Sequence, residues 1–128
     1  MAVNLQVAWV GILLGFFAGA VPGLFFHKED WLGGYGSWRR RMLRLAHISF
    51  FGIGIINAAF ALTLEALKAG GAVHESMVWP SRLLIAGAVA MPAVCYLSAW
   101  RKSFRHLFSI PVLCLALGVG MFLWEGML

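Results

Sequence analysis

The sequence predicts an all-α integral membrane protein, an antiparallel four-helix bundle with both termini on the non-cytoplasmic side. Three observations carry that expectation. Hydrophobic residues make up 62% of the 128 positions and charged residues only 12%, about half the charged share of an ordinary soluble domain. The apolar residues fall into four stretches, each of about the 20 residues that cross a hydrocarbon core. Basic residues are distributed unevenly between the connections. Lys28, Arg39, Arg40, Arg41, Arg44, Arg101, Lys102 and Arg105 flank or fill the first and third, whereas Lys68 and Arg82 alone serve the second. The first and third connections are therefore read as cytoplasmic. The net charge of +5 is gathered there as a topology signal, and no nucleic-acid partner is expected. Residues 1–128 form a single transmembrane domain.

The first span is expected over about Val7–Phe26. MAVNLQVAWV has no basic residue, and the apolar stretch is long for a signal peptide, so it reads as a retained helix. Gly11, Gly15, Gly19 and Gly23 recur every four residues. Such a row makes a shallow groove in which a second helix can come close, or in which a flat cofactor or lipid can lie. His27 is the next member of that series, and Pro22 is expected to bend the last turns.

The first connection, HKEDWLGGYGSW, is polar, aromatic and glycine-rich. Gly33, Gly34 and Gly36 lack the spacing and strand context of a dinucleotide fingerprint. The segment is expected at headgroup level, held by its aromatics and by the basic run RRRMLR that follows. A docking role for a partner is the alternative.

The second span is expected over about Met42–Leu64. At 100° per residue His47, Gly54, Ala58, Ala61 and Glu65 share one face, which is expected to meet protein rather than lipid. Asn57 lies near mid-span, and its amide needs a partner inside the bundle. The second connection carries His74 and Glu75, read as surface residues. The third span is expected over about Ser81–Trp100, entered through Pro80, with a small-residue stripe of Ala86, Ala90 and Ala93 and a kink at Pro92. The fourth is expected over about Phe104–Trp124, bent at Pro111. Trp9, Trp79 and Trp124 are assigned to one interface, and Trp31, Trp38 and Trp100 to the other. Cys95 and Cys114 both fall within spans and form no Cys-x-x-Cys motif.

This topology brings His27, His47 and His106 to similar depth on the cytoplasmic side. Two imidazoles can hold a b-type haem axially, and three can hold copper or zinc. His47 is the favoured ligand because it lies inside a span, and His106 is the favoured second. Arg44, one turn before His47, and Arg105, beside His106, are candidates to pair with haem propionates. An axial histidine donates its other nitrogen to an acceptor, so His47 is expected to have one nearby. The bland alternative is that these histidines bond water, lipid or loop carbonyls.

No catalytic motif is present: neither a nucleophile elbow, nor His-Glu-x-x-His, nor paired intramembrane carboxylates. The leading functional expectation is a small integral subunit of an electron-transfer assembly in a bacterial inner membrane. Its expected partners are lipid, other membrane subunits or copies of itself, with a quinone nearby. A cofactor-free structural or assembly subunit is the first alternative. A small oligomeric channel or transporter is the second, and it lacks the continuous polar stripe it would need.

Overall fold

The computed structural model describes residues 2–72 and 77–128. His74 and Glu75 lie outside the described residues. Four helices, α1 (Ala2–Gly23), α2 (Trp38–Ala69), α3 (Val78–Trp100) and α4 (Ser109–Gly126), account for most of the chain, and no strand occurs among the described residues. Short 3-10 segments at Trp31–Gly33 and Lys102–Phe108 complete it. Four helical stretches are long and apolar enough to cross a membrane.

The helix ends differ from the sequence expectation in ways that hydrogen bonding explains. α1 begins near Ala2 rather than Val7, because Asn4 is fully buried and bonded, whereas hydropathy treats it as an end. It stops at Gly23 rather than Phe26. Leu24 N–H is shared between the Ala20 and Val21 carbonyls, and Phe25 N–H turns back to Pro22, a tightening common at helix ends. His27 therefore lies in a turn and does not continue the glycine row.

α2 extends beyond Met42–Leu64 at both ends. Ser37 caps it, its hydroxyl accepting from Arg40 N–H at 3.3 Å. At the far end Gly71 N–H bonds the Lys68 carbonyl and Ala72 N–H the Leu67 carbonyl, with Gly71 at φ +73°. This is a Schellman stop, which needs the left-handed conformation that glycine adopts without strain.

The fourth span is not one α-helix from Phe104. Lys102–Phe108 winds as 3-10 helix, and α4 starts at Ser109. Pro111 thus sits in the first turn, where a missing N–H has no helical partner to lose, rather than at a bend in mid-span. α3, by contrast, runs unbroken through Pro92.

Neighbouring helices are antiparallel. Gly11 lies against Phe50 and Gly54, Gly15 against Phe51, and Gly19 against His47, while Gly87 meets Leu115 and Gly118 meets Leu84. The helices pack in chain order, with α2 and α3 central and α1 and α4 flanking. Burial follows: 39% and 33% of the apolar stretches of α2 and α3 are buried, against 11% in α1 and α4. The arrangement is open rather than a closed ring of four, because α1 and α4 make no extensive contact. Ala86 and Ala93 are exposed; α3 instead buries Leu84, Gly87, Val94, Cys95 and Ser98. The apolar core of Phe60, Leu64, Met77 and Leu84 is closed by Leu115 and Phe122, with Phe60 and Phe122 edge to face at 4.9 Å. Cys95 and Cys114 are free thiols.

Polar groups tie the helices together at two levels. Toward the Phe122 end, Asn4 Nδ2 donates to Asn57 Oδ1 at 2.9 Å, and Ser81 Oγ donates to Asn4 Oδ1 at 2.5 Å. Asn57 Nδ2 then donates to the Ile53 and Leu84 carbonyls. The partner that Asn57 requires is thus supplied by α1 and α3 together. At the opposite, arginine-rich end, Arg40 is buried rather than placed at the surface with its neighbours. Its Nε donates to the Trp31 carbonyl at 2.6 Å and its Nη2 to the Lys28 carbonyl. Its guanidinium lies 5.5 Å from the ring centres of both Phe26 and Trp31. Leu32, Gly33 and Gly34 in succession take positive φ, so the connection folds back over this arginine. Trp38 Nε1 donates to the Ser98 carbonyl at 2.7 Å. Trp31 and Trp38 therefore hold the fold together, whereas Trp9, Trp79, Trp100 and Trp124 face outward.

Candidate functional site

The α1–α2 crossing positions the histidine that the sequence singles out. Gly15 and Gly19 remove the side chains that would fill the space opposite one turn of α2, and His47 fills it. A Cβ on Gly19 would stand 2.4 Å from His47 Cε1, well inside van der Waals contact, so glycine is required for the ring to lie there. The ring is further held by Phe51, one turn on, edge to face at 5.2 Å. Phe51 in turn meets Phe16 at 5.2 Å.

His47 Nδ1 is 2.8 Å from the Gly15 carbonyl oxygen. A carbonyl only accepts, so Nδ1 carries the proton, and in the neutral ring Nε2 keeps its lone pair. The expected acceptor for His47 is therefore present, and it is a backbone carbonyl of the adjacent helix. Among the described residues Nε2 has no hydrogen-bond partner.

His47 borders a lateral groove of about 290 Å³ whose other walls include Gly19, Gly23, Phe26, Arg44 and Ile48. Arg44 and His47, three residues apart on α2, are its two polar groups. Arg44 donates from Nη1 to the Tyr35 carbonyl at 3.1 Å and lies 4.5 Å from the Tyr35 ring centre, which leaves most of its five N–H donors uncommitted. A second groove of about 540 Å³ opens between α1, α2 and α3. It shares Ala18, Pro22 and Leu43 with the first, and its walls are almost wholly apolar.

The other candidates are placed differently. His27 is exposed in the turn after α1, and His106 and Arg105 are exposed on the 3-10 segment that packs against α3 and α4. The backbone carbonyl of His106 accepts from Ser109 Oγ. His47 faces α1 instead. Among the described residues no group of three or more His, Cys, Asp or Glu side chains is placed to hold a metal ion.

Sequence reasoning missed Arg40, which stations the first connection beside the groove. The signal was available. Arg40 precedes His47 by seven residues, as His47 precedes Gly54, so all three lie on the α2 face that meets α1. It also missed Asn4, whose position near the start of the chain hid its pairing with Asn57.

Comparison with protein-family models, with curated proteins and with solved structures yields no match. The functional reading rests on the geometry of the groove.

Proposed function

We propose that this chain is a small integral membrane subunit of an electron-transfer assembly, and that the His47 groove is where it meets a redox-active group. The observation supporting this is the Nδ1–Gly15 hydrogen bond, which holds the imidazole in the tautomer whose Nε2 is free to ligate or to accept a proton. The basic connections, residues 24–37 and 101–108, face the cytoplasm of a bacterial cell, with the groove at the depth of the inner leaflet.

In the haem form of this reading, His47 Nε2 would ligate the iron and Arg44 would pair with a propionate. The bound group would supply one-electron chemistry, while the chain orients the imidazole and keeps its other nitrogen engaged. The donor set fits on one side only. His106 and His27, both exposed, are the candidates within the chain for a second ligand, and a partner subunit is the alternative source. A macrocycle would also extend beyond a groove of about 290 Å³, a volume near the lower limit for a small-molecule site.

The test is purification in mild detergent followed by a reduced-minus-oxidised optical spectrum, on the native chain and on His47→Leu. A haem difference band lost in His47→Leu supports the haem form.

A second reading, a cofactor-free structural subunit, is favoured by the same hydrogen bond, because it already clamps α1 to α2. Preparations free of haem and metal in which no ligand binds at the groove would favour that reading.

A further inference from the structure

We infer that the His47 groove binds a hydroquinone-type amphiphile, an aromatic ring bearing two hydroxyls and an apolar tail, in preference to a haem. This rests on the groove being the working site, as proposed above, but not on haem ligation.

The hydrogen-bond inventory selects the headgroup. With Nδ1 donated to Gly15, the polar atom that neutral His47 has left to offer is an acceptor. Its complement is an O–H donor. An ionised phosphate or carboxylate cannot supply one, and neither can an oxidised quinone. Arg44 offers only donors, so its complement is an acceptor oxygen on the same ligand. Residues three apart on a helix share a face, and His47 and Arg44 line the same groove, so one ligand can address both. A hydroquinone meets both demands: one hydroxyl donates to His47 Nε2 and the other accepts from Arg44.

Size and surroundings agree. The groove of about 290 Å³ suits a single substituted ring better than a four-ring macrocycle. Phe26 supplies an aromatic wall, and the open Cα of Gly23 leaves one side clear, since a Cβ there would meet nothing within 4 Å. The neighbouring groove of about 540 Å³, walled by Leu14, Phe17, Val21, Phe25, Phe50 and Tyr96, borders the same Ala18, Pro22 and Leu43. It provides an apolar bed for a tail at the level of the headgroup site. No residue of α4 lines either groove, since α4 packs against α3.

The experiment uses the full chain in lipid nanodiscs and three probes under anaerobic conditions: a decyl-tailed hydroquinone, its dimethyl ether, and phosphatidylglycerol as competitor. Binding is read from tryptophan quenching and from the shift in Tm. The hydroquinone is expected to saturate and to raise Tm. The dimethyl ether, which has the same ring but no O–H, is expected to bind roughly tenfold more weakly, the worth of one good hydrogen bond. Gly23→Phe, which fills the groove from its open side without touching the His47–Gly15 bond, is expected to abolish binding while leaving the Tm of the free protein unchanged. Equal binding of the ether, undiminished binding to Gly23→Phe, or displacement by equimolar phosphatidylglycerol would each overturn the inference. A haem band that depends on His47 would overturn it while leaving the electron-transfer reading standing. Absence of both haem and hydroquinone binding would remove both.

Discussion

His47 donates its Nδ1 proton to the carbonyl of Gly15 at 2.8 Å, so a side chain of α2 is bonded to the backbone of α1. That bond depends on a second glycine one turn along, because Gly19 leaves the space in which the ring lies. Gly19→Ala should therefore displace the imidazole and destabilise the protein by about 1–3 kcal/mol, the usual cost of overpacking. Gly23→Ala, where a Cβ meets nothing, should stay within about 0.5 kcal/mol of the native chain. Thermal unfolding in detergent compares the two, and equal Tm values for both variants would contradict the packing described here.

Asn4 and Asn57 should behave as one unit. Asn57→Leu removes one hydrogen bond from the Asn4 amide and one from the Leu84 carbonyl and is expected to cost about 1–2 kcal/mol. Asn4→Leu should cost a similar amount. The double variant should lose clearly less than the sum, since each single change removes the same Asn4–Asn57 bond. A double-mutant cycle with additive losses would contradict the pairing.

Arg40 is distinguishable from its neighbours Arg39 and Arg41 by conservative replacement. Its planar fork serves two carbonyls and lies against two aromatic rings, a geometry lysine does not reproduce. Arg40→Lys should lower stability by about 1.5–3 kcal/mol, the range for hydrogen bonds to a charged group, whereas Arg39→Lys and Arg41→Lys, both exposed, should be nearly neutral. Limited proteolysis of residues 24–37 gives an independent readout: cleavage should accelerate in Arg40→Lys alone.

Among the described residues the buried hydroxyl of Ser98 has no hydrogen-bond partner, while the carbonyl of the same residue is bonded to Trp38. Ser98→Ala removes the unmatched group and keeps the backbone bond, so it should leave stability unchanged or raise it by up to about 1 kcal/mol. A clear loss in chemical denaturation would show that the hydroxyl has a partner after all.

The proposed sidedness rests on the basic connections. Single cysteines at Gly36 and at Ser103, in a background lacking Cys95 and Cys114, should resist an impermeant thiol reagent in intact cells, and a cysteine at Ala72 should react. The reverse pattern would overturn the proposed orientation.

The four apolar helices were legible in the sequence because hydropathy over about 20 residues is a property of local composition. The glycine row was legible for the same kind of reason. A period of four on a helix places residues on one slowly drifting face whatever that face meets, and three of the four glycines do meet α2. The importance of His47 was also visible, as an imidazole within an apolar span beside small residues. Only the tertiary structure decided which helix the ring faces, which nitrogen is committed, and that His106 and His27 are exposed. Those outcomes depend on how helices rotate and pair, and a histidine at a given depth looks the same in sequence whichever way its helix is turned. The burial of Arg40 and the pairing of Asn4 with Asn57 belong to the same class. A polar residue beside an apolar span reads as its boundary, and only a partner brought from 53 residues away in the chain turns that boundary into an interior.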